Sequence, residues 1–379
     1  MVIRPFIIII FLTSFRFNLN KNFSFDLFSS LTKSNWFKNT NVILSPILVS
    51  KTLLFLSNGS IGKTQKEIID TLGYKSVIEG NKFINLITKD FHLNNILKFG
   101  NAIFSRIPLS NNFKLLAQRY NFEFKNIFEK GELIEWIGNN TNYQFNEIFN
   151  NEDPKTFDFI LISTLSFIGN FKSSFTFCED PTNVYFYDES GKRKKIQMLE
   201  TKGKFNYYYE EKFQVIEIPF ENKSISSLIF IPSNKYSLQS LIEDLNEEKY
   251  NKIIQQMKKT KIELYIPKLK IEYKTPLANS LKNIGIKKAF RIDAEFPSIT
   301  LNYGLHLTDF FHQSSLEINE SFIRFPTFIG LVNLNNKKII QYKRINVNKP
   351  FFLIIKLNDF PSDFILMAKI TNIDKKDIQ

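Results

Sequence analysis

Apolar positions in the first 150 residues recur mostly at helical spacing, and beyond Asp158 at the two-residue spacing of strands. Phe23, Leu27, Phe28 and Leu31 fall on one helical face. Ser45-Pro46 reads as an N-cap and first-turn proline for a helix running to Asn58. Thr64 and Glu67 have capping-box spacing ahead of Ile68 and Ile69. The pattern predicts a strand over 97–105 and helices over 111–120 and 132–141. Later strands are predicted over 159–169 and 213–219, and the apolar run 226–232 has the composition of a strand covered on both faces. One helix is predicted over 238–257, followed by the alternation Ile262, Leu264, Ile266, Leu269, Ile271. Helices early and strands late predict an α+β fold. No Pro-, Gly- or Ser-rich linker divides the chain, so one domain is expected over 18–379.

With 379 residues, 43% of them hydrophobic and 41 of them Phe, the chain has ample material for a packed core. Its opening, MVIRPFIIIIFLTSFRF, carries an early Arg4, an apolar run from Pro5 to Leu12 and then small polar residues. Residues 1–17 therefore read as a secretory signal peptide, with a buried first strand as the alternative. The run is shorter than the about 20 residues a spanning helix needs, so no membrane span is expected. Asn-x-Ser/Thr triplets at Asn22, Asn58, Asn139, Asn222 and Asn319 agree with an extracellular, glycosylated protein. A lone Cys178 excludes an internal disulfide, which leaves the core to hold the fold of a monomer.

The formal net charge is +13, and 42 of the 50 Lys and Arg residues are Lys, with one tight run over 192–195. A basic surface attracts anionic polymers. A nucleic-acid reader would favour arginine forks, so nucleic acid is not expected, and an anionic polysaccharide or an anionic membrane surface is left open by this charge. The same excess also fits solvated lysines in a chain rich in Asn, Ile, Phe and Lys.

Three histidines, His92, His306 and His312, and one cysteine leave little for a metal centre or a Cys/His nucleophile. GxSxG, GxGxxG, P-loop and HExxH patterns do not occur. Neither a cofactor, a metal nor an enzymatic activity is expected.

Five segments, in order, carry a resemblance. They are NVILSPILVSKTLLFLSNGSIGKTQKEIIDTLGY from Asn41, LISTLSFIGNFKSSF from Leu161, IELYIPKLKIEYKTPLANSLKNIGIKKAF from Ile262, LHLTDFFHQSSLEINE from Leu305 and NKPFFLIIKLNDFPSDFILMAKITN near the C-terminus. Together they resemble the serpin family, the serine protease inhibitors. The resemblance implies roughly eight or nine helices, three β-sheets and an exposed reactive loop that inserts into the main sheet after cleavage by a protease. It implies serine proteases as partners and places the loop at about 317–349. It also places sheet-opening residues at Ser45, Ser163, Phe171 and His312. Ser163 stands where the family has Asn, Phe171 where it has Trp, Leu48 where it has Ser and Ala368 where it has Gly. Ser163 is then expected to reach His312 more weakly than the family's Asn.

The loop hinge departs furthest. Inhibitory members follow the acidic stretch with small residues; here Glu317-Ile318-Asn319-Glu320 leads into Ser321-Phe322-Ile323-Arg324-Phe325-Pro326. Side chains of a strand alternate between faces, so inserting this segment would force Phe322 and Arg324 to one side and Ile323 and Phe325 to the other. Pro326 lacks the N–H that a central strand donates. Insertion is expected to be slowed or lost. Counting from Glu320 places the scissile bond near Asn336-Lys337, and counting back from Pro350 places it near Ile339-Ile340. Lys338 is the preferred site for a trypsin-like protease, with a solvated Lys337-Lys338 pair as the alternative.

Overall fold

The computed structural model describes residues 22–33, 39–92, 97–125, 129–141, 159–167, 169–180, 184–300, 304–308, 310–318, 342–359 and 364–374. The rest of the chain, including the proposed leader, Glu320 to Pro326 and Asn336 to Ile340, lies outside them. The described residues form an α+β fold with nine α-helices and sixteen strands, divided by their contacts into two compact units.

The first unit takes in 1–27, 48–167 and 276–312. Its sheet has the order β3 (Glu123–Lys125), β2 (Leu97–Ser105), β4 (Phe159–Phe167), the first pair parallel and the second antiparallel. Helix α6 (Lys130–Thr141) covers it through Leu133, Trp136 and Ile137, which pack with Ala102 and Phe104 of β2. The Phe104 and Trp136 rings meet edge to face at 6.3 Å, and the indole N–H donates to Glu123. Such pairs add roughly 0.5–1.5 kcal/mol to the area they bury. Helix and sheet approach closely at Gly100, where a Cβ would lie 2.5 Å from the Thr164 hydroxyl and 2.6 Å from the Asn140 amide oxygen. A second cluster surrounds Phe55 of α2 (Pro46–Asn58), stacked on Phe122 at 4.1 Å and tilted against Phe113 and Tyr120.

Helix ends follow local hydrogen-bonding needs more than the short motifs read from sequence. The capping box expected from Thr64 and Glu67 does not form. Helix α3 (Gly62–Leu72) begins before Thr64, so its open N–H groups at Lys63 and Thr64 donate to the Glu295 carboxylate, at 2.9 and 3.2 Å. The Thr64 hydroxyl returns a bond by accepting from the Glu295 N–H. Glu67 instead accepts from the backbone N–H groups of Lys287 and Lys288. The reciprocal box exists, but between distant segments. Gly73 closes α3 in the left-handed conformation, φ 79°, the ordinary task of glycine at this position.

The second unit takes in 28–47, 168–275 and 313–379. Its nine-stranded sheet runs β1 (Val42–Leu44), β16 (Phe364–Ile370), β15 (Phe351–Leu357), β10 (Ile225–Pro232), β9 (Phe213–Pro219), β8 (Met198–Tyr209), β11 (Lys258–Pro267), β14 (Lys343–Asn346). Strand β5 (Thr176–Phe177) pairs beside β8. Every residue of β10, β15 and β16 is buried, which is why their sequences are apolar apart from Ser226, Ser227, Lys356 and Lys369. Two lysines in these strands need partners: Lys356 pairs with Glu217 at 3.1 Å, and Lys369 donates to Gln239 at 3.0 Å.

The single helix predicted over 238–257 is two, α7 (Leu238–Asp244) and α8 (Glu247–Gln256). Leu245 is extended, and the Asn246 side chain accepts from the Lys249 N–H at 2.9 Å, so a new N-cap starts the second helix. The strands predicted at 97–105 and 213–219 match β2 and β9.

Candidate functional site

The segments on either side of 319–341, the stems of the loop that the resemblance implies, lie in described strands. The first is β13 (Phe311–Ile318), paired with β12 (Leu269–Pro276). His312, Ser314, Leu316 and Ile318 are buried and Glu317 is exposed, the alternation of a half-covered strand. Glu317 is thus the last acidic residue seen before the chain leaves the described region, and Ser321 to Pro326 lie beyond it.

The second stem is β14, which runs parallel to β11. Arg344 fixes it: its guanidinium bonds Asp180 at 2.8 Å and lies 4.8 Å from the Tyr265 ring. The Tyr265 hydroxyl donates to Glu263, and Glu263 pairs with Lys202, both at 2.8 Å. The Lys202 hydrogen bond holds the Glu263 carboxyl below its usual range, and the Asp180 bond raises Arg344. Each exposed pair contributes at most about 1 kcal/mol, but four charges and a ring in sequence define one geometry for this stem.

The residues to which the resemblance assigns sheet opening divide between the units. In the second, the Ser45 hydroxyl donates to the Ile365 carbonyl at 2.7 Å, tying the start of α2 to β16. Phe171 stacks on Phe220 at 4.8 Å and bridges it through the backbone. Phe171 thus makes an aromatic contact at this position.

In the first unit, Ser163 of β4 faces Asn101 of β2 in the ladder. With the Asn101 amide oriented to satisfy its surroundings, its nitrogen donates to the Ser163 hydroxyl and the Gly100 carbonyl, each at 3.2 Å. Its oxygen accepts from the Lys51 ammonium at 3.3 Å. Lys51 projects from α2 with its nitrogen 4.1 Å from the Phe99 ring centre and is 3% exposed. Burial pulls its pKa down to about 7. Sequence reading missed both Lys51 and Asn101. The available signal was the lone cation inside the apolar run ILVSKTLLFL.

His312 is 4% exposed, and burial pushes its pKa down to about 4. It is neutral at physiological pH. Its folded pKa lies below the ordinary 6.5, so the unfolded chain binds the extra proton between these values. This contribution to stability is present above pH 6.5 and is lost as pH falls toward 4. In urea unfolding, the stability difference between wild type and His312→Gln should be constant above pH 6.5 and change as pH falls from 6.5 toward 4; a difference that stays constant through that window would exclude His312 as the titrating group.

The glycosylation triplets are not equivalent. Asn22 is buried with its side chain capping the Ser24 N–H at 3.0 Å, and Asn58 exchanges amide bonds with Asn81 at 2.8 and 3.1 Å. A glycan on either would have to break these contacts. Asn139 is exposed on α6, and Asn222 lies in the β9–β10 turn. Asn319 lies outside the described residues. Among the described residues no group of three His, Cys, Asp or Glu could hold a metal, and no helix is long and apolar enough to cross a membrane.

The family model "Serpin (serine protease inhibitor)" matches residues 18–372. Human neuroserpin is 26% identical over 347 residues, covering 84% of this chain and 83% of neuroserpin. Silkworm (Bombyx mori) antitrypsin is 26% identical over 361 residues, covering 90% and 91%, and human serpin B3 is 25% identical over 374 residues, covering 89% and 95%. The crystal structure of native protease nexin-1 with heparin superposes with a TM-score of 0.79 at 22% identity, covering 93% of this chain and 97% of that one.

Proposed function

Because the chain belongs to the serpin family, we propose that it presents residues 317–349 to a serine protease outside the cell and acts chiefly as a substrate, its trapping step weakened. The family supports a protease-inhibitor type of function, and its members are generally inhibitors rather than enzymes. The observation that carries the finer reading is the hinge Ser321-Phe322-Ile323-Arg324-Phe325-Pro326. Trapping requires the cleaved loop to enter a packed sheet faster than the acylated protease hydrolyses. Bulky, charged and N–H-lacking residues at the leading end oppose that entry.

In this reading residues 1–17 are removed on secretion, Asn139 and Asn222 are the glycan acceptors, and the bond cut lies within Asn336, Lys337, Lys338, Ile339 and Ile340. Ser163, Phe171 and His312 belong to the region that must yield when the sheet opens. Incubation with trypsin should yield a loop-nicked protein and free protease, with mass spectrometry placing the cut between 336 and 340. An SDS-stable complex with trypsin or elastase would overturn the substrate reading.

A second reading is a binding protein for an anionic polysaccharide, favoured by the net charge of +13. Protease nexin-1, its relative in fold, was crystallised with heparin.

A further inference from the structure

Asn101 of β2 lies where four segments meet, and no single orientation of its amide satisfies all of them. One end of the amide stands 3.3 Å from the Lys51 nitrogen of α2 and 3.5 Å from the carbonyl of Tyr120, the residue that ends α5 (Asn111–Arg119). The other end stands 3.2 Å from the Ser163 hydroxyl of β4 and from the Gly100 carbonyl. All of these residues belong to the first unit. A hydroxyl donates or accepts, so Ser163 serves either orientation. The two carbonyls only accept, and they stand at opposite ends of the amide. Whichever way it turns, its nitrogen bonds one carbonyl and its oxygen faces the other.

The charge on Lys51 breaks this tie. An ammonium carries three donors and no lone pair, so it tolerates only the amide oxygen beside it. A neutral amine has a lone pair, and the amide nitrogen then donates to Lys51 and to Tyr120 together. The Gly100 carbonyl loses little by the turn, because it still accepts from the Thr164 hydroxyl at 3.4 Å. Both charge states occur near neutral pH, since burial against the Phe99 ring draws the amine down to about 7. Burial is the one cause of that shift: β2 presents Phe99 and Asn101 to the amine, β4 presents Ser163 through Asn101, and none of these ionises. The Tyr120 hydroxyl is pushed up to about 12, and His312, the other buried base of this unit among the described residues, down to about 4. Neither titrates in the same window as Lys51.

We infer that Lys51 and Asn101 form a proton-operated switch: the ammonium locks the amide oxygen toward α2, and loss of the proton turns the amide over, so that its nitrogen bonds Lys51 and the Tyr120 carbonyl. With the proton on, both amide hydrogens point into the sheet, to Ser163 of β4 and Gly100 of β2. With it off, they tie the sheet to α2 and to the end of α5, and Ser163 reverses its role and donates. A ligand shifts a two-state equilibrium only by the difference in its interaction with the two states. Here the ligand is a proton, and the difference is an accepted hydrogen bond in one state against a donor facing a donor in the other. Acid thus consolidates the β2–β4 pair, whereas mild alkali consolidates the sheet against α2 and α5. The switch stands on this geometry alone and is independent of whether the protein traps a protease or is cut by it.

Neutron diffraction from deuterated crystals of the wild type, at about pH 5.5 and about pH 8.5, tells amide nitrogen from oxygen directly. The oxygen should face Lys51 at the lower pH and the nitrogen at the higher. The same orientation at both would overturn the switch. In solution, an NMR titration of the Lys51 side chain supplies the reciprocal measurement, because whatever the proton does to the amide the amide must do to the proton. Asn101→Leu removes the acceptor that favours the ammonium, so the Lys51 pKa should fall by at least about one unit, a tenfold loss of proton affinity. Ser163→Ala removes a partner common to both states and should leave that pKa within about 0.3 unit of wild type. An unchanged pKa in Asn101→Leu would overturn the coupling. So would an equal fall in Ser163→Ala, which would trace the shift to general loosening of the sheet.

Discussion

Lys51→Met raises the stability of the protein, and most strongly at and below neutral pH. The wild-type amine is 3% exposed and its pKa is drawn from 10.5 to about 7 by burial. At 1.36 kcal/mol per pKa unit, holding the proton in the folded state near pH 7 costs on the order of a few kcal/mol. Methionine has a similar length and suits the Phe99 ring it would touch, since thioethers pack well on aromatic groups. The substitution removes the donor to the Asn101 oxygen, a loss of about 1 kcal/mol, smaller than the desolvation it relieves. The sign across pH follows from the depressed pKa. Between 7 and 10.5 the unfolded chain holds a proton that the folded chain has released, so wild-type stability rises through this window. The advantage of Lys51→Met is therefore full below pH 7 and gone by 10.5. Near pH 7 the melting temperature should rise by about 5 °C for a chain of this size. Denaturant unfolding at pH 6, 8 and 10 checks it: a gain that does not shrink with pH would exclude the buried amine as its cause.

The second large effect concerns the hinge. Wild-type protein nicked between Lys338 and Ile339 should melt within about 2 °C of the intact protein, a shift of less than roughly 1 kcal/mol. Phe322→Ala/Arg324→Ala/Phe325→Ala/Pro326→Ala, nicked at the same bond, should melt about 10 °C or more above its own intact form. Insertion of the native sequence meets overpacking at two Phe side chains, an unpaired Arg and a missing ladder bond at Pro326. Together these cost on the order of 5–10 kcal/mol. That is comparable with the whole net stability of a domain, about 5–15 kcal/mol, and enough to cancel the gain from a new strand. Differential scanning calorimetry before and after limited proteolysis decides it. A large melting gain in the nicked wild type would show that the bulky hinge is accommodated and would return the protein to the ranks of trapping inhibitors.

Much of the architecture was legible as pattern. The strand at 97–105 and the strand at 213–219 were readable because period-two burial is set by the strand itself, whatever it packs against. The fully buried β10 was readable because a strand covered on both faces is mostly apolar, and its run from Leu228 onward carries that signal past Ser226 and Ser227. Reading failed where local motifs had distant rivals. Thr64 and Glu67 carry the letters of a capping box, yet Glu295, 231 residues from Thr64, supplies the cap. The 238–257 helix breaks because Asn246 competes for a backbone N–H, a contest periodicity does not register.

The site divides along the same line. The sequence by itself determined the family, through five segments in order, and the chemistry of the hinge, because bulk, charge and a missing N–H belong to residues before any packing. Tertiary structure alone decided that Lys51 is a buried cation against Phe99 and Asn101, and that Arg344 and Asp180 brace the distal loop stem. A charge has an intrinsic pKa and a solvation energy in the chain, but its cost or use depends on which atoms replace its water. Those atoms come from segments tens to hundreds of residues away.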